Sequence, residues 1–318
     1  MDNLTITTAC DKNYIWGAFL LVASLRRHGT AARIHVLGKD FGPAELAVLQ
    51  QFEDVAVLPL DPDNQRNLTT SKPAALLSAG TEWMAWMDAD CMAVGDLGPL
   101  LLPPNGELQI RVRGRDENAS VYRNLMRAGD LPGAVPAHVL ARWQRDVGDL
   151  GLPRLETSAV ANMIVLHRRF RPFIELWARQ MDAVLDPRMA GVLDGSNPAY
   201  RMTDESVLNS LLSFSSLAPS PGPYRLDLRE QAHVAHFGTS PKPWKRWKLR
   251  NLFWYEAVLD VLRWCELRGM QTPPLPWTFR RRYKTPSYAF AAVEQAILSA
   301  RHLAGDLVRQ ARTEGRAA

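Results

Sequence analysis

Cysteine is scarce in this chain: three in 318 residues, Cys10, Cys91 and Cys265, far apart and in no CxxC pair. That excludes a disulfide framework and a zinc ribbon, and it suits a reducing compartment. No apolar run reaches the roughly 18–20 residues needed to span a bilayer, so no membrane-crossing helix is expected. The first residues, MDNLTITTACDKN, carry neither a basic n-region nor an apolar h-region, and no signal peptide is expected. Internal repeats and low-complexity tracts are missing as well. A charge excess is missing from most of the chain. The net charge is +5, and residues 270–318 hold eight Lys/Arg against three acids, a difference of 8 − 3 = +5 that accounts for all of it. The basic character is therefore local, and with no recognition motif beside it nucleic acid is not expected as a partner.

What remains is an ordinary globular composition, 47% apolar and 22% charged, long enough for one large α/β domain or two smaller ones. Short β-branched runs alternate with helical periodicity at the start. Strands are predicted at 4–8, 33–38 and 55–60, and helices at 14–28 (stopped by Gly29) and 43–52. Three βα repeats within sixty residues predict a parallel sheet with right-handed crossovers. A polar loop at 61–70 and a short helix opening at Ser71-Lys72-Pro73 follow. Further on, strands are predicted at 108–112 and 158–166, and helices at 121–128, 136–147 and 172–185. Thr203 is placed as the N-cap of a helix carrying Val207, Leu208, Leu211 and Leu212. Residues 213–223 read as a Ser/Pro loop, and 233–237 as a short segment. From Pro286 one long helix is expected. Its apolar residues Phe290, Val293, Ile297, Ala300, Ala304, Leu307 and Ala311 form one stripe.

The stretch WMAWMDADCMAVGD, 83–96, organises the chain. Its apolar run reads as a buried central strand that ends in Asp88-Ala89-Asp90. Side chains two apart in an extended segment point the same way, so Asp88 and Asp90 could share one cation. Taken alone, they could equally be two solvated acids at a strand end. Other pieces have matching chemistry. The aspartates are hard oxygen ligands for Mg²⁺ or Mn²⁺, and an imidazole from His236 moves the preference toward Mn²⁺. Lys242, between two prolines, suits a diphosphate clamp, and Lys72 is a second candidate.

Together these pieces resemble glycosyltransferase family 8. Thr7 to Tyr14, TACDKNY with its leading threonine, is similar to the family's nucleotide loop. Met87 to Asp90 is similar to its DxD motif, with Lys72 sixteen residues upstream of Asp88. Asp204-Glu205 followed by Leu208-Asn209 resembles its Asp-Gln…Leu-Asn element. His236 through Trp244 resembles its His…Gly…Lys-Pro-Trp motif. The similarity runs from about residue 4 to 250. It implies a GT-A (Rossmann-like) α/β fold, a mixed and mostly parallel sheet flanked by helices, over residues 1–255. A basic helical extension would occupy 256–318. It implies a retaining, metal-dependent transfer of a hexose from a UDP-sugar, galactose or glucose, to a glycan or lipid-linked saccharide. Thr8, Ala9, Asp11, Asn13 and Tyr14 would meet the nucleotide, with Tyr14 stacking on the base. Lys72, Asp88, Ala89, Gly238 and Lys242 would also touch the donor. Asp88, Asp90 and His236 would bind Mn²⁺ (Mg²⁺ as the alternative), and Lys242, Asp204 and Glu205 would be the catalytic group.

Three positions depart from the family pattern. Gly238 stands two residues after His236, where the family has its glycine three after. Ser158-Ala159-Val160-Ala161-Asn162 has no glycine where the family has an Asn-Ala/Ser-Gly strand. Glu205 stands where the family often has glutamine, and a glutamate there could act as a nucleophile or as polar support.

The segment 113–154 is charged and broken by Gly and Pro, and acceptor selection or cover for a sheet edge both suit it. Basic residues interleaved with aromatics (Lys245, Arg246, Trp247, Lys248, Arg250; Trp277, Phe279 and 280–284), then the amphipathic helix, suit an anionic membrane surface. The expected location is the cytoplasm, at the inner face of its membrane. A second copy in a homodimer, or packing on the same chain, is the competing use of that stripe. Two other functions compete. One is a non-catalytic protein that binds glycan or nucleotide sugar. The other is a sugar-1-phosphate nucleotidyltransferase, which would be expected to carry a Gly-rich, arginine-bearing N-terminal loop that TTACDKNY lacks.

Overall fold

The computed structural model describes residues 3–60, 68–103, 105–123, 125–126, 130–149, 151–186, 193–221 and 233–317. The chain divides into two compact units, Met1–Val234 and Ala235–Ala318, a division upstream of the one expected after residue 255.

In chain order the first unit holds β1 (Leu4–Asp11), α1 (Ile15–Arg27), β2 (Arg33–Lys39), α2 (Pro43–Gln50), β3 (Val55–Pro59) and α3 (Lys72–Leu77). Then come β4 (Trp83–Met87), β5 (Cys91–Ala93), β6 (Leu108–Val112), α4 (Arg115–Tyr122) and α5 (Ala137–Val147). The unit continues through β7 (Ala159–His167), α6 (Arg171–Val184) and α7 (Thr203–Phe214). Six strands form one sheet in the order β3-β2-β1-β4-β7-β6. β1 to β4 are mutually parallel; β7 alone runs against its neighbours β4 and β6. The sheet is thus mixed and mostly parallel, flanked by helices, as expected.

The N-terminal end of the antiparallel β7 lies beside the C-terminal end of β4, with Met87 opposite Met163. There β7 bulges. Ile110 of β6 faces Ile164, but the next residue, Arg111, faces Val160. Three residues of β7, 161 to 163, therefore have no opposite number on β6. The apolar side chains Trp86, Ile110, Ile164, Trp143, Trp177 and Leu211 pack in one core beneath the helices α3, α5, α6 and α7. α1 is buried from Trp16 through Leu25, consistent with its nearly unbroken apolar sequence. Gly29, at φ 77°, turns the chain out of it.

Two elements depart from the sequence reading. The helix expected at 121–128 is α4, Arg115–Tyr122. Its start follows extended Gly114, and Asp116 and Glu117 in its first turn favour a helix N-terminus there; residues 127 and 128 lie outside the described residues. Thr203 is not the N-cap of α7. Met202 holds that place, Thr203 has φ 36°, and the Met202 amide donates to Ser206 Oγ at 3.0 Å. Parts of the loops expected at 61–70 and 213–223 also lie outside the described residues, and residues 213 and 214 belong to α7.

The chain passes into the second unit through β8 (Val234–His236), followed by α8 (Tyr255–Glu266) and α9 (Lys284–Ala317). Buried Trp247 centres this unit. Its ring meets Phe237, Tyr255 and Phe279 at centroid distances of 6.2, 5.1 and 6.0 Å. Its indole N–H donates to the Thr278 carbonyl at 2.9 Å. α8 was not anticipated, although Tyr255, Val258, Val261 and Cys265 form its buried face at helical spacing. The start of α9 packs within the unit. Ser287 and Ala291 are buried, the Tyr288 hydroxyl donates to the Leu252 carbonyl, and Glu294 accepts from Arg246 and Lys248 at 2.8 and 2.6 Å. Three residues of the stripe are exposed: Phe290, Val293 and Ile297 at 54%, 59% and 49%.

Candidate active site

Because β1 and β4 are adjacent and parallel, their C-terminal ends share one sheet edge. At this edge Asp11 caps a short 3₁₀ turn, Lys12–Tyr14. Its carboxylate accepts from the amides of Asn13 and Tyr14 at 2.9 and 3.1 Å and from Asn13 Nδ2 at 3.3 Å. The cap leaves Asn13 exposed and Tyr14 half-buried at the mouth of the edge. Thr8 and Ala9, expected at the nucleotide, are buried in β1, Thr8 completely.

Next along the edge, the structure joins three residues far apart in sequence. Lys72, in the first turn of α3, reaches Asp88 Oδ1 at 3.0 Å and Asp204 Oδ2 at 2.9 Å, and donates to the Ala161 carbonyl at 2.9 Å. Trp86 adds a second donor to Asp88, indole N–H to Oδ1 at 2.7 Å, and lies 5.5 Å from the Lys72 ammonium. Lys72 and Asp204 are each only 4% exposed, while Asp88 is half-buried and faces outward. Burial alone would push the Lys72 ammonium down, but Asp204 and Asp88 outweigh it and hold it above an ordinary lysine. Burial pushes the Asp204 carboxyl up, against the pull of Lys72. Taken as three groups, the set has one positive and two negative charges, a net of −1. With Asp90 two residues on, the edge offers hard, anionic oxygens, which fit a divalent cation. Ala89 between them is buried.

Glu205, beside Asp204, faces the other way along β7. Its Oε2 accepts from the Ala161 amide at 3.0 Å, and its Oε1 pairs with Arg113 Nη2 at 2.7 Å. Arg113 is 8% exposed. It also donates through Nη1 to Ser158 Oγ at 2.8 Å and to the Ala159 carbonyl at 3.1 Å. Asn209, one turn after Glu205, clamps Ala159 from both sides, accepting from its amide at 2.6 Å and donating to its carbonyl at 2.9 Å. The bulge of β7 is thus held by side chains from α3 and α7 where a ladder would otherwise hold it. Arg113 escaped the sequence reading. Its partner is 92 positions away, and no spacing rule connects them. Asn209 was noticed only as part of a motif.

In the second unit His236 ends β8, and Lys242 stands on the loop that follows it. Gly238 explains its own identity. A Cβ there would lie 2.8 Å from the His236 ring carbon Cε1 and 3.1 Å from Nε2. The imidazole therefore folds over residue 238, and a side chain there would have to displace the ring. Lys242 is buried and donates from its ammonium to the Phe237 carbonyl at 2.9 Å.

No protein-family model and no curated protein matches the chain in sequence. Solved structures do match in fold. Galactosyltransferase LgtC, in complex with donor and acceptor sugar analogs, aligns over 88% of this chain and 99% of its own at TM-score 0.50 and 16% identity. WbbM, a bifunctional glycosyltransferase, aligns over 85% of this chain and 52% of its own at TM-score 0.53 and 14% identity. Glycosyltransferase GlyE of Streptococcus pneumoniae aligns over 86% of this chain and 65% of its own at TM-score 0.51 and 14% identity. With its mixed, mostly parallel six-stranded sheet flanked by helices, the chain shares the GT-A fold of these solved structures.

Proposed function

We propose that this chain is a retaining, metal-dependent glycosyltransferase that moves a hexose from a UDP-sugar, galactose or glucose, to a glycan or lipid-linked saccharide. The observation that carries this reading is the Lys72–Asp88–Asp204 set, two ion pairs of 3.0 and 2.9 Å beside the Asp11 turn. The donor and acceptor analogs bound to LgtC, the same fold, support it. Asp11, Asn13 and Tyr14 receive the nucleotide, with Tyr14 against the base. Asp88, Asp90 and His236 are the ligands proposed for Mn²⁺, with Mg²⁺ as the alternative. That ion, when bound, supplies positive charge to the leaving diphosphate. Lys242 adds a cation for the same charge. Lys72 fixes Asp88 and Asp204, so that the sugar meets carboxylates already oriented. Segment 113–154 is the region proposed to select the acceptor. The exposed stripe of α9, with Arg280, Arg281 and Arg282 preceding it, is proposed to rest on an anionic membrane surface at the cytoplasmic face. Among the described residues no helix is long and apolar enough to cross a membrane.

The test is UDP release from a panel of UDP-sugars with Mn²⁺, with and without EDTA. Release from one donor, abolished by EDTA, is expected. Release from none would leave a protein that binds glycan or nucleotide sugar without turning it over, and release indifferent to EDTA would remove the metal.

A further inference from the structure

We infer that Arg113 is a positioning residue: it ties the Glu205 side chain to the β7 backbone, and so keeps it from attacking the donor sugar. The inference rests on the transferase reading above and concerns which groups of that site react.

A nucleophilic carboxylate must turn one oxygen to the anomeric carbon with its charge available. Glu205 is arranged otherwise. One oxygen is matched to a buried guanidinium at 2.7 Å, and the other to the Ala161 amide at 3.0 Å. The guanidinium is itself fixed, by Ser158 Oγ and the Ala159 carbonyl. Ser158 is fixed in turn by Asn118, whose Oδ1 accepts from its amide at 2.9 Å and its hydroxyl at 2.7 Å. The other acid near Arg113 is Glu117, 3.8 Å from its Nε, but that carboxylate is taken up by Arg111 in a two-pronged contact of 2.6 and 2.7 Å. Arg113 is thus directed to Glu205.

The pair has a purpose other than chemistry on the sugar. Ala161 lies in the bulge of β7, its amide held by Glu205 and its carbonyl by Lys72. The next residue, Asn162, gives its carbonyl to the Asp88 amide at 2.9 Å. Glu205 and Lys72 therefore set the backbone on which the DxD turn leans. A neutral glutamine could hold the same amide but would leave the buried Arg113 with only Glu117, 3.8 Å away and already engaged by Arg111. A glutamate at this position is explained by the arginine opposite it. The transfer proceeds with no bond between Glu205 and the sugar.

The experiment uses the full chain with the donor that releases UDP, and compares R113Q, E205Q, R113Q/E205Q and R113K. Each single glutamine variant should lose at least tenfold in kcat with little change in KM for the donor, because one half of a buried pair is stranded. The double variant should recover to within about threefold of the wild type, the coupling expected of residues in direct contact. R113K keeps the charge without the fork and should fall about tenfold in kcat at unchanged KM. E205A with azide should yield no glycosyl azide. A double variant that melts like the wild type but stays as slow as E205Q would overturn the inference, as would a glycosyl azide. If R113Q or the double variant does not fold, R113K decides: wild-type kcat there overturns it. A wild type silent with every donor defeats the transferase reading itself, a different result from an active wild type with an unrescued double variant.

Discussion

The edge of the sheet and the start of α9 break the burial rule in opposite directions. At the sheet edge Lys72, Asp204 and Arg113 are withdrawn from water, with Glu205 and Asp88 beside them. On α9, Phe290, Val293 and Ile297 are left in it. Buried charge is costly and must be paired; exposed apolar side chains cost little to the fold and invite a partner. The first arrangement implies that small changes are severe and felt locally. The second implies that even large changes leave the fold intact and act only through what the helix touches.

Lys72→Met should give the largest effect, since it strands Asp88 and Asp204 together. A loss of about 3–5 kcal/mol in unfolding free energy is expected, measured by guanidinium titration. A variant of wild-type stability would mean that these charges are not paired in solution. Asn209→Ala comes next. It removes the bonds to Ala159 and to the Glu205 carbonyl, 2.8 Å away, and should cost about 1–3 kcal/mol by the same titration. The triple variant Phe290→Ser, Val293→Ser, Ile297→Ser should change the unfolding free energy by only about 0.5 kcal/mol. It should nevertheless abolish flotation with vesicles containing phosphatidylserine; equal flotation of wild type and variant would remove the membrane from the proposal. A small effect is also expected of Glu294→Gln, at the half-buried pairs with Arg246 and Lys248. A shift below about 1 kcal/mol, disappearing in molar salt, is expected from thermal melts at two ionic strengths.

Local signals made much of the fold legible. Short apolar and β-branched runs alternating with helical stretches place β1 to β4, α1 and α2 within a few residues, because β1, β4 and α1 are nearly continuous apolar segments buried on every side. The reading failed where local signals conflict. Gly114 and two acids decide where α4 begins, against an apolar pattern that points later. Thr203 has the side chain of a cap but a backbone at φ 36°. α8 carries its buried face at helical spacing, Tyr255, Val258, Val261 and Cys265, with no cap signal to set off its start. In the site, Lys72, Asp88 and Asp204 were each singled out, yet only the fold shows that one ammonium serves both acids. Arg113 could not be found from its neighbours, since its meaning lies entirely in Glu205. Gly238 is an irregular position in the motif, and in the fold it lies beneath the His236 imidazole.

The bulge of β7 has a spectroscopic consequence. Most strand amides point at the carbonyl of a neighbouring strand. The Ala161 amide points at the Glu205 carboxylate. Its ¹⁵N–¹H resonance is therefore a native indicator of events at the sheet edge. It should move when donor or metal arrives, and again in R113Q, where the Arg113 contact is cut.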